Sequence, residues 1–244
     1  YAIFDVYRYA FRRNRSYIST LLLDKKEHAP DFYEWRDGAA EALRSKMHIR
    51  YTIKSDRGEN LQGYYFPCGT QLSKKIAFIV HGYHSEHAAT AGMVCEYYHS
   101  RGFDVFTCDN TASGESGGRI FGYDVFESAD CLKWIDFLQQ EFGDDIKLVM
   151  HGFSLGGATV LKMSDRYPEF VKFVVDDCGY IDARELIGDL LRVQGVHPGV
   201  PLFHRAAVSA QEMVEHAPLR VVQTRRARLL RRQCPQNGRA QRDH

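Results

Sequence analysis

The spacing of hydrophobic residues changes along the chain, and each spacing predicts a different kind of element. Residues 1–45 carry apolar positions at helical spacing, which predicts an N-terminal helical segment. Its basic patch of Arg12, Arg13 and Arg15 is interpreted as a solvated face, with a phospholipid-binding face as the alternative. From Ile49 onward apolar and polar residues alternate. After the polar turn Asp56–Asn60 the extended pattern returns over Leu61–Phe66. Two extended runs separated by a short polar turn predict a β-hairpin.

Between residues 46 and 180, short apolar runs alternate with longer stretches of helical periodicity. The predicted strands are Ile76–Val80, Asp104–Cys108, Ile146–Met150 and Val171–Val175, and the predicted helices are residues 86–101, 123–142 and 155–167. Strands that are apolar throughout are typical of a parallel sheet covered by helices on both faces. We therefore predict one α/β core domain over residues 46–180, with ligands bound beyond the carboxyl ends of its strands.

The clearest chemical signal is the pentapeptide Gly152-Phe153-Ser154-Leu155-Gly156, which lies between an apolar strand and a helical stretch. A serine on such a tight turn exposes its hydroxyl, and the flanking glycines remove side chains that would collide with the neighbouring strand and helix. We predict that Ser154 is a nucleophile. The alternative is a buried serine that caps the helix.

A serine nucleophile also requires backbone N–H groups where negative charge develops on the substrate oxygen. Leu155 follows the nucleophile directly, and Tyr83 follows the pair His81-Gly82 in the loop after the predicted strand Ile76–Val80. In strand–loop sites of this kind these two positions donate the N–H groups. We predict an oxyanion hole formed by Tyr83 and Leu155, with His84 and Phe153 in contact with the substrate.

Two further loops carry residue types that also occur in metal and phosphate sites. His81, His84 and His87 recur at intervals of three, but no carboxylate pattern completes a metal site around them. The glycine-rich loop Asp109–Gly118 follows a strand, but the chain contains neither the P-loop nor the dinucleotide-binding fingerprint. We predict no metal and no cofactor, and we interpret His81 as a structural residue and the glycine-rich loop as part of the pocket rim.

In this order the three loops His81-Gly82, Asp109–Gly118 and Gly152–Gly157 resemble the α/β-hydrolase superfamily, most closely its serine aminopeptidase-like and esterase-like branch. The resemblance covers residues 47–180. It implies the α/β-hydrolase fold, a triad in the order serine, acid, histidine, and hydrolysis of an ester, thioester or amide of a small molecule. The chain departs from the branch at Thr111-Ala112, which replaces a common arginine–glycine pair and leaves the ion pair of that loop unassigned.

The part after residue 180 lacks the motifs in which the superfamily carries its acid and its base. Asp177, at the end of the sixth strand, is the predicted acid, with Asp176 as its alternative. His216 is the predicted base. The alternatives to this base are His197 and His204. If no base serves, the alternative function is a non-catalytic, hydrolase-like binding domain.

Residues 181–244 form an irregular, arginine-rich segment in which the last strands of the fold are not recognisable. The stretch 220–244 contains eight arginines and one acidic residue. We favour a remnant of a lid followed by a tail that is not the native continuation, over a basic arm that binds nucleic acid.

The overall composition narrows these predictions only slightly. Hydrophobic and charged residues make up 44% and 26% of the chain, which is ordinary for a globular protein, and the net charge of +1 does not indicate nucleic acid as a partner. No apolar run is long enough to span a bilayer. The scattered cysteines favour a reducing compartment, the cytoplasm, with reduced, buried thiols at Cys108 and Cys178. The chain begins at Tyr1, so a preceding signal or anchor stays open, as does the oligomeric state.

Overall fold

The computed structural model describes Arg13, residues 29–182 and the backbone of residues 221–223. Its helices are α1 (Pro30–Ser45), α2 (His87–Ala91), α3 (Cys95–His99), α4 (Val125–Phe142) and α5 (Leu155–Lys162), followed by a 3₁₀ turn at Ser164–Arg166. Its strands are β1 (Ile49–Lys54), β2 (Asn60–Phe66), β3 (Lys75–Val80), β4 (Asp104–Asp109), β5 (Lys147–Phe153), β6 (Val171–Asp177) and β7 (Val221–Gln223).

These strands form one sheet in the order β1-β2-β4-β3-β5-β6-β7. The predicted hairpin is present as β1 and β2. Strand β2 pairs antiparallel with β4, whereas all pairs from β4 to β7 are parallel. Val80 is in register with Cys108 on one side and with Gly152 on the other. The loops that follow β3, β4 and β5 therefore meet at one edge of the sheet, as predicted.

Helices cover both faces of the sheet, and β3 shows how the two cores are separated. Its residues Ile76, Phe78 and Val80 face a core that includes Trp134 and Leu138 of α4. The intervening residues of β3 face a second core to which α1, α2 and α3 contribute. A strand that is buried on both faces has to be apolar throughout, so the prediction of a mostly parallel, doubly covered sheet is confirmed.

The boundaries of some elements differ from the predicted ones. The single helix predicted over residues 86–101 is two short helices, and α1 packs so closely against the junction that a Cβ on Gly92 would lie 2.6 Å from the Ala39 carbonyl oxygen. Strands β5 and β6 continue to Phe153 and Asp177. Residues 221–223 pair with β6 as a short parallel strand that no alternation in the sequence predicts.

The predicted burial of two cysteines and the predicted absence of a membrane-spanning segment can also be compared with the structure. Cys108 is buried, as predicted, but Cys178 is exposed, because it turns away from the end of β6 in a left-handed conformation with φ of 64°. None of the helices in the described part of the chain is long and apolar enough to cross a bilayer.

Candidate active site

Ser154 occupies a strained turn between β5 and α5, with φ of 55° and ψ of −115°. Non-glycine residues rarely adopt positive φ, and such strain is concentrated at functional sites. The turn requires the two glycines of the motif. A Cβ on Gly152 would lie 2.0 Å from the Gly156 carbonyl oxygen, and a Cβ on Gly156 would lie 2.1 Å from the Val80 carbonyl oxygen. The chain can therefore make this turn only with these small residues.

The backbone of Ser154 is held by hydrogen bonds, while its side chain is exposed. Its N–H donates to the Asp177 carbonyl oxygen at 2.8 Å, and its carbonyl accepts the Ala158 N–H at 3.0 Å. The hydroxyl makes no capping hydrogen bond to α5. The alternative interpretation of Ser154 as a buried capping residue is therefore wrong.

The loop after β3 reaches Ser154 directly. A Cβ on Gly82 would lie 3.3 Å from the Ser154 Cβ and 3.1 Å from the Phe153 carbonyl oxygen. Tyr83 is the next residue, at a spacing of about 3.8 Å between Cα atoms. On the other side of Ser154, Leu155 begins α5, where an N–H has no acceptor within its own helix. The structure thus brings together Tyr83, Ser154 and Leu155.

His81 has the structural role that its sequence context predicts. Its side chain is buried, and its Nε2 accepts the Asn110 N–H at 2.9 Å, while Nδ1 lies 2.8 Å from the Gly82 carbonyl oxygen. Those two contacts fit a neutral imidazole with its proton on Nδ1. Burial lowers the pKa of His81, in agreement with this assignment. The imidazole therefore ties the loop after β3 to the loop after β4.

A buried carboxylate organises the loop after β4. Asp109 accepts the backbone N–H groups of His87 at 2.9 Å and Glu115 at 2.8 Å, and its Oδ1 lies 3.0 Å from His87 Nδ1. Burial alone would raise the pKa of Asp109, but these partners hold it well below its ordinary value. Asp109 is therefore ionised and fixes the loop that the sequence places at the pocket rim.

The ion pair that the sequence leaves unassigned in this loop is supplied from the β-hairpin. Arg57, in the turn between β1 and β2, donates to Thr111 Oγ1 at 2.7 Å and to Asp130 of α4 at 3.0 Å. Thr111 itself donates to Asp130, and the guanidinium also lies over the Phe126 ring. No local pattern points to Arg57, because its partners lie far away in the sequence.

The N-terminal basic patch also differs from its prediction at the one position described. The guanidinium of Arg13 donates to the carbonyl oxygens of Gly114 and Ser116 in the loop after β4. The prediction of a solvated face is therefore wrong for Arg13, which caps carbonyl groups that would otherwise need water. The rest of that patch lies outside the described residues.

Three possible metal-ligand atoms lie together, although not those of the three spaced histidines. One oxygen or nitrogen of each of Glu86, His87 and Asp109 falls within 4.8 Å of the others. Protein partners already account for the arrangement. Glu86 is paired with Arg44 at 2.6 Å, and Asp109 accepts the N–H groups described above. Hydrogen bonding therefore explains this cluster.

The two aspartates at the end of β6 have different surroundings. Asp176 is buried and accepts the Gly179 N–H at 2.7 Å, next to the close approach of Gly157, which indicates a structural residue. Asp177 is half-buried at the serine edge, in register with Phe153, and accepts the Cys178 thiol at 3.3 Å. The predicted base His216 lies outside the described residues, as do His197 and His204.

Phe153 and His84 are the other two predicted site residues. Phe153 is half-buried and stacks on His151, with ring centroids 4.4 Å apart. His84 has φ of 51° and contacts the rings of Tyr83 and Phe121. Phe153 directly precedes Ser154, and His84 lies two residues after Gly82, which packs against Ser154. That they contact a substrate stays a prediction.

His151 is a buried group near the site that has no recognisable signal in the sequence. Its Nδ1 lies 3.0 Å from the Tyr98 hydroxyl, and its Nε2 is buried without a hydrogen-bond partner among the described residues. Burial lowers the pKa of His151 to about 4, although the charge of Asp177 opposes this change. The imidazole is therefore neutral at physiological pH.

The three loops occur together in a known family. The sequence profile of the family described as "Serine aminopeptidase, S33" matches residues 71–230. The chain belongs to this family. The matched region includes all three loops on which the resemblance was based, and the predicted superfamily branch is confirmed. A search among curated proteins finds no significant match.

Solved structures show the same fold at low sequence identity. The esterase Pf2001 of Pyrococcus furiosus is 21% identical, with 63% of this chain and 57% of that chain covered, at a TM-score of 0.53. An α/β-hydrolase of Vibrio vulnificus is 18% identical, with 85% and 66% covered, at a TM-score of 0.52. The α/β-hydrolase fold is thus confirmed, and the chain spans about 57% of the length of the Pyrococcus esterase.

Proposed function

We propose that the protein hydrolyses an ester, thioester or amide bond of a small molecule by acyl transfer through Ser154. The observation that carries this proposal is the exposed serine in a strained turn, packed against the backbone of Gly82 and followed by the start of α5. Family membership and fold support the same conclusion. A strained backbone conformation lowers stability, and such conformations are concentrated at functional sites.

The proposed reaction begins with attack of the Ser154 hydroxyl on the substrate carbonyl. The N–H groups of Tyr83 and Leu155 stabilise the oxyanion that forms. A histidine takes the hydroxyl proton and passes it to the leaving group, and water then releases the acyl group from the serine. We assign the base to His216 and the orienting acid to Asp177.

The substrate contacts and the surroundings of the enzyme are part of the same proposal. Phe153 precedes Ser154, His84 belongs to the loop that reaches Ser154, and we propose that both contact the substrate. We infer a small-molecule substrate, no nucleic-acid partner and a cytoplasmic location. The five described cysteines form no disulfide, which supports a reducing compartment.

A fluorophosphonate probe, which reacts only with activated serines, tests the proposal. We expect the full chain to be labelled and the Ser154→Ala variant to remain unlabelled. Ser164→Ala is the matched control, because this serine lies in the 3₁₀ turn beyond α5, and it should label like the native chain. Circular dichroism checks that each variant is folded.

The alternative function, a hydrolase-like binding domain without a working base, predicts a different result. A folded native chain that is not labelled would contradict the catalytic proposal and favour this alternative. Without its triad, such a site keeps only the weak catalysis that an oxyanion hole provides. Labelling that depends on Ser154 but survives both His216→Ala and Asp177→Asn would assign the base and the acid elsewhere.

A further inference from the structure

Four aromatic side chains from two loops pack together, and the first of them follows Gly82, which lies against Ser154. They are Tyr83 and His84 from the loop after β3, and Phe121 and Tyr123 from the loop before α4. The centroid of the Tyr83 ring lies 4.1 Å from that of His84, 5.3 Å from that of Phe121 and 5.5 Å from that of Tyr123. The ring centroids of His84 and Phe121 are 5.0 Å apart. We call this group the aromatic wall. Its rings meet mostly edge-on or tilted, which is the favoured geometry of aromatic pairs.

The aromatic wall is held rigidly from behind. Phe121 and Tyr123 are 3% and 8% exposed, so the lower part of the wall is already packed. Tyr123 and Asp124 have φ of 46° and 75°, two left-handed non-glycine residues in succession. The ion pair between Asp124 and Lys162 of α5 holds this turn. Backbone strain that is fixed by several contacts is typical of ligand clamps as well as of catalytic turns.

The wall begins one residue after the glycine that packs against Ser154. Gly82 packs against the Ser154 Cβ, and Tyr83 is the next residue. In the proposed reaction the Tyr83 N–H binds the substrate oxygen, so the group attached to the reacting carbonyl lies within reach of the Tyr83 and His84 rings. Both residues are only half-buried, which leaves part of each ring accessible.

We propose that the aromatic wall is a binding subsite for an aryl group attached to the reacting carbonyl through a short linker. The inference rests on the proposed function for its location, since it takes the carbonyl to lie at Ser154. A ring on the ligand adds edge or offset contacts to the two half-buried members, Tyr83 and His84, while the buried Phe121 and Tyr123 support them from behind. Such contacts contribute beyond the burial of apolar area, so an aryl group should bind roughly two- to tenfold tighter than a saturated ring of the same size.

The test uses two ketones, which present a carbonyl but cannot be hydrolysed. One is benzylacetone, and the other is its counterpart with a cyclohexyl ring in place of the phenyl ring. Ligand-observed NMR titration gives the dissociation constant of each for the full native chain and for Tyr83→Leu, which removes an accessible ring of the wall but keeps the backbone N–H. Phe173→Leu is the matched control. Phe173 lies half-exposed on β6, and none of the ring contacts described above joins it to the wall.

We expect benzylacetone to bind roughly two- to tenfold tighter in the native chain and in Phe173→Leu, and the two ketones to bind equally in Tyr83→Leu. Equal binding in the native chain, no binding of either ketone, or a preference that survives in Tyr83→Leu would overturn the subsite. If circular dichroism shows Tyr83→Leu to be unfolded, Tyr83→Met takes its place and must also lose the preference.

The outcome separates the subsite from the proposed function, because binding of the ketones does not require catalysis. An aryl preference without fluorophosphonate labelling would keep the subsite and refute hydrolysis by this chain. Labelling of Ser154 without an aryl preference would keep the hydrolase and refute the subsite.

Discussion

Replacing Glu127 by glutamine should stabilise the protein above neutral pH and have little effect in mild acid. Glu127 is completely buried in the first turn of α4. One of its oxygens accepts the Gly122 N–H at 2.9 Å, and the other has no hydrogen-bond partner within the described part of the chain. Burial raises the pKa of Glu127 to about 7, and the nearby carboxylates of Asp130 and Asp124 add to the increase.

The sign and size of the effect follow from where the proton is bound. A glutamate in the unfolded chain ionises near pH 4.5, whereas Glu127 in the folded protein ionises near 7. Between these values the folded state holds a proton that the unfolded state has released, so the free energy of unfolding falls as the pH rises through this window. The difference in pKa corresponds to about 3 kcal/mol, all of which is lost above pH 7. Glutamine cannot ionise, so Glu127→Gln removes this dependence.

Urea unfolding followed by the fluorescence of the buried Trp134 measures the effect at several values between about pH 5 and pH 8. We expect the stability gained in Glu127→Gln over the native chain to grow with pH to about 3 kcal/mol. The control Glu169→Gln changes an exposed glutamate and should follow the native chain. A difference between Glu127→Gln and the native chain that stays constant with pH would refute a protonated Glu127.

Three further predictions concern the turn at Ser154, the β-hairpin and the buried His151. Gly156→Ala puts a Cβ against the backbone of β3, and we expect loss of Ser154 labelling together with at least about 3 kcal/mol of stability in urea unfolding. Arg57→Ala leaves Asp130 without its cation and should cost about 2 kcal/mol, measured by the same unfolding method. His151, whose pKa is lowered to about 4, should show the NMR shifts of a neutral imidazole at about pH 5.5, and its charging should destabilise the fold as the pH falls from about 6.5 to 4.

The strained turn at Ser154 could be predicted because its requirements are local in sequence. Positive φ at Ser154 and the close approaches at Gly152 and Gly156 demand small residues at fixed positions. Those positions, with an apolar strand before them and a helix after them, are visible in one stretch of sequence. The sheet was predictable for a similar reason, since burial on both faces requires apolar runs and leaves little choice of residue.

The contacts that the sequence did not reveal join residues that are far apart in the chain. Arg57 lies 73 positions from Asp130, and Arg13 lies 101 positions from Gly114. A charged residue in a polar turn or near a terminus has the same local pattern whether it is solvated or bound to a distant loop. The burial of His151 could not be predicted for the same reason. The imidazole can be buried because its Nδ1 has a hydrogen-bond partner in Tyr98, which belongs to another element.

The same distinction explains why the base is the part of the mechanism that most needs experiment. The proposed nucleophile and oxyanion-hole positions follow β5 and β3, which are adjacent parallel strands in register at Val80 and Gly152. Their proximity therefore follows from the order of the sheet. A general base needs only an imidazole within hydrogen-bond reach of the serine, which imposes no local pattern. No local pattern therefore separates His216, the proposed base, from its alternatives His197 and His204. Alanine replacement of each in turn tests the assignment: the one variant that stays folded and loses fluorophosphonate labelling identifies the base, whereas labelling that survives all three replacements excludes them.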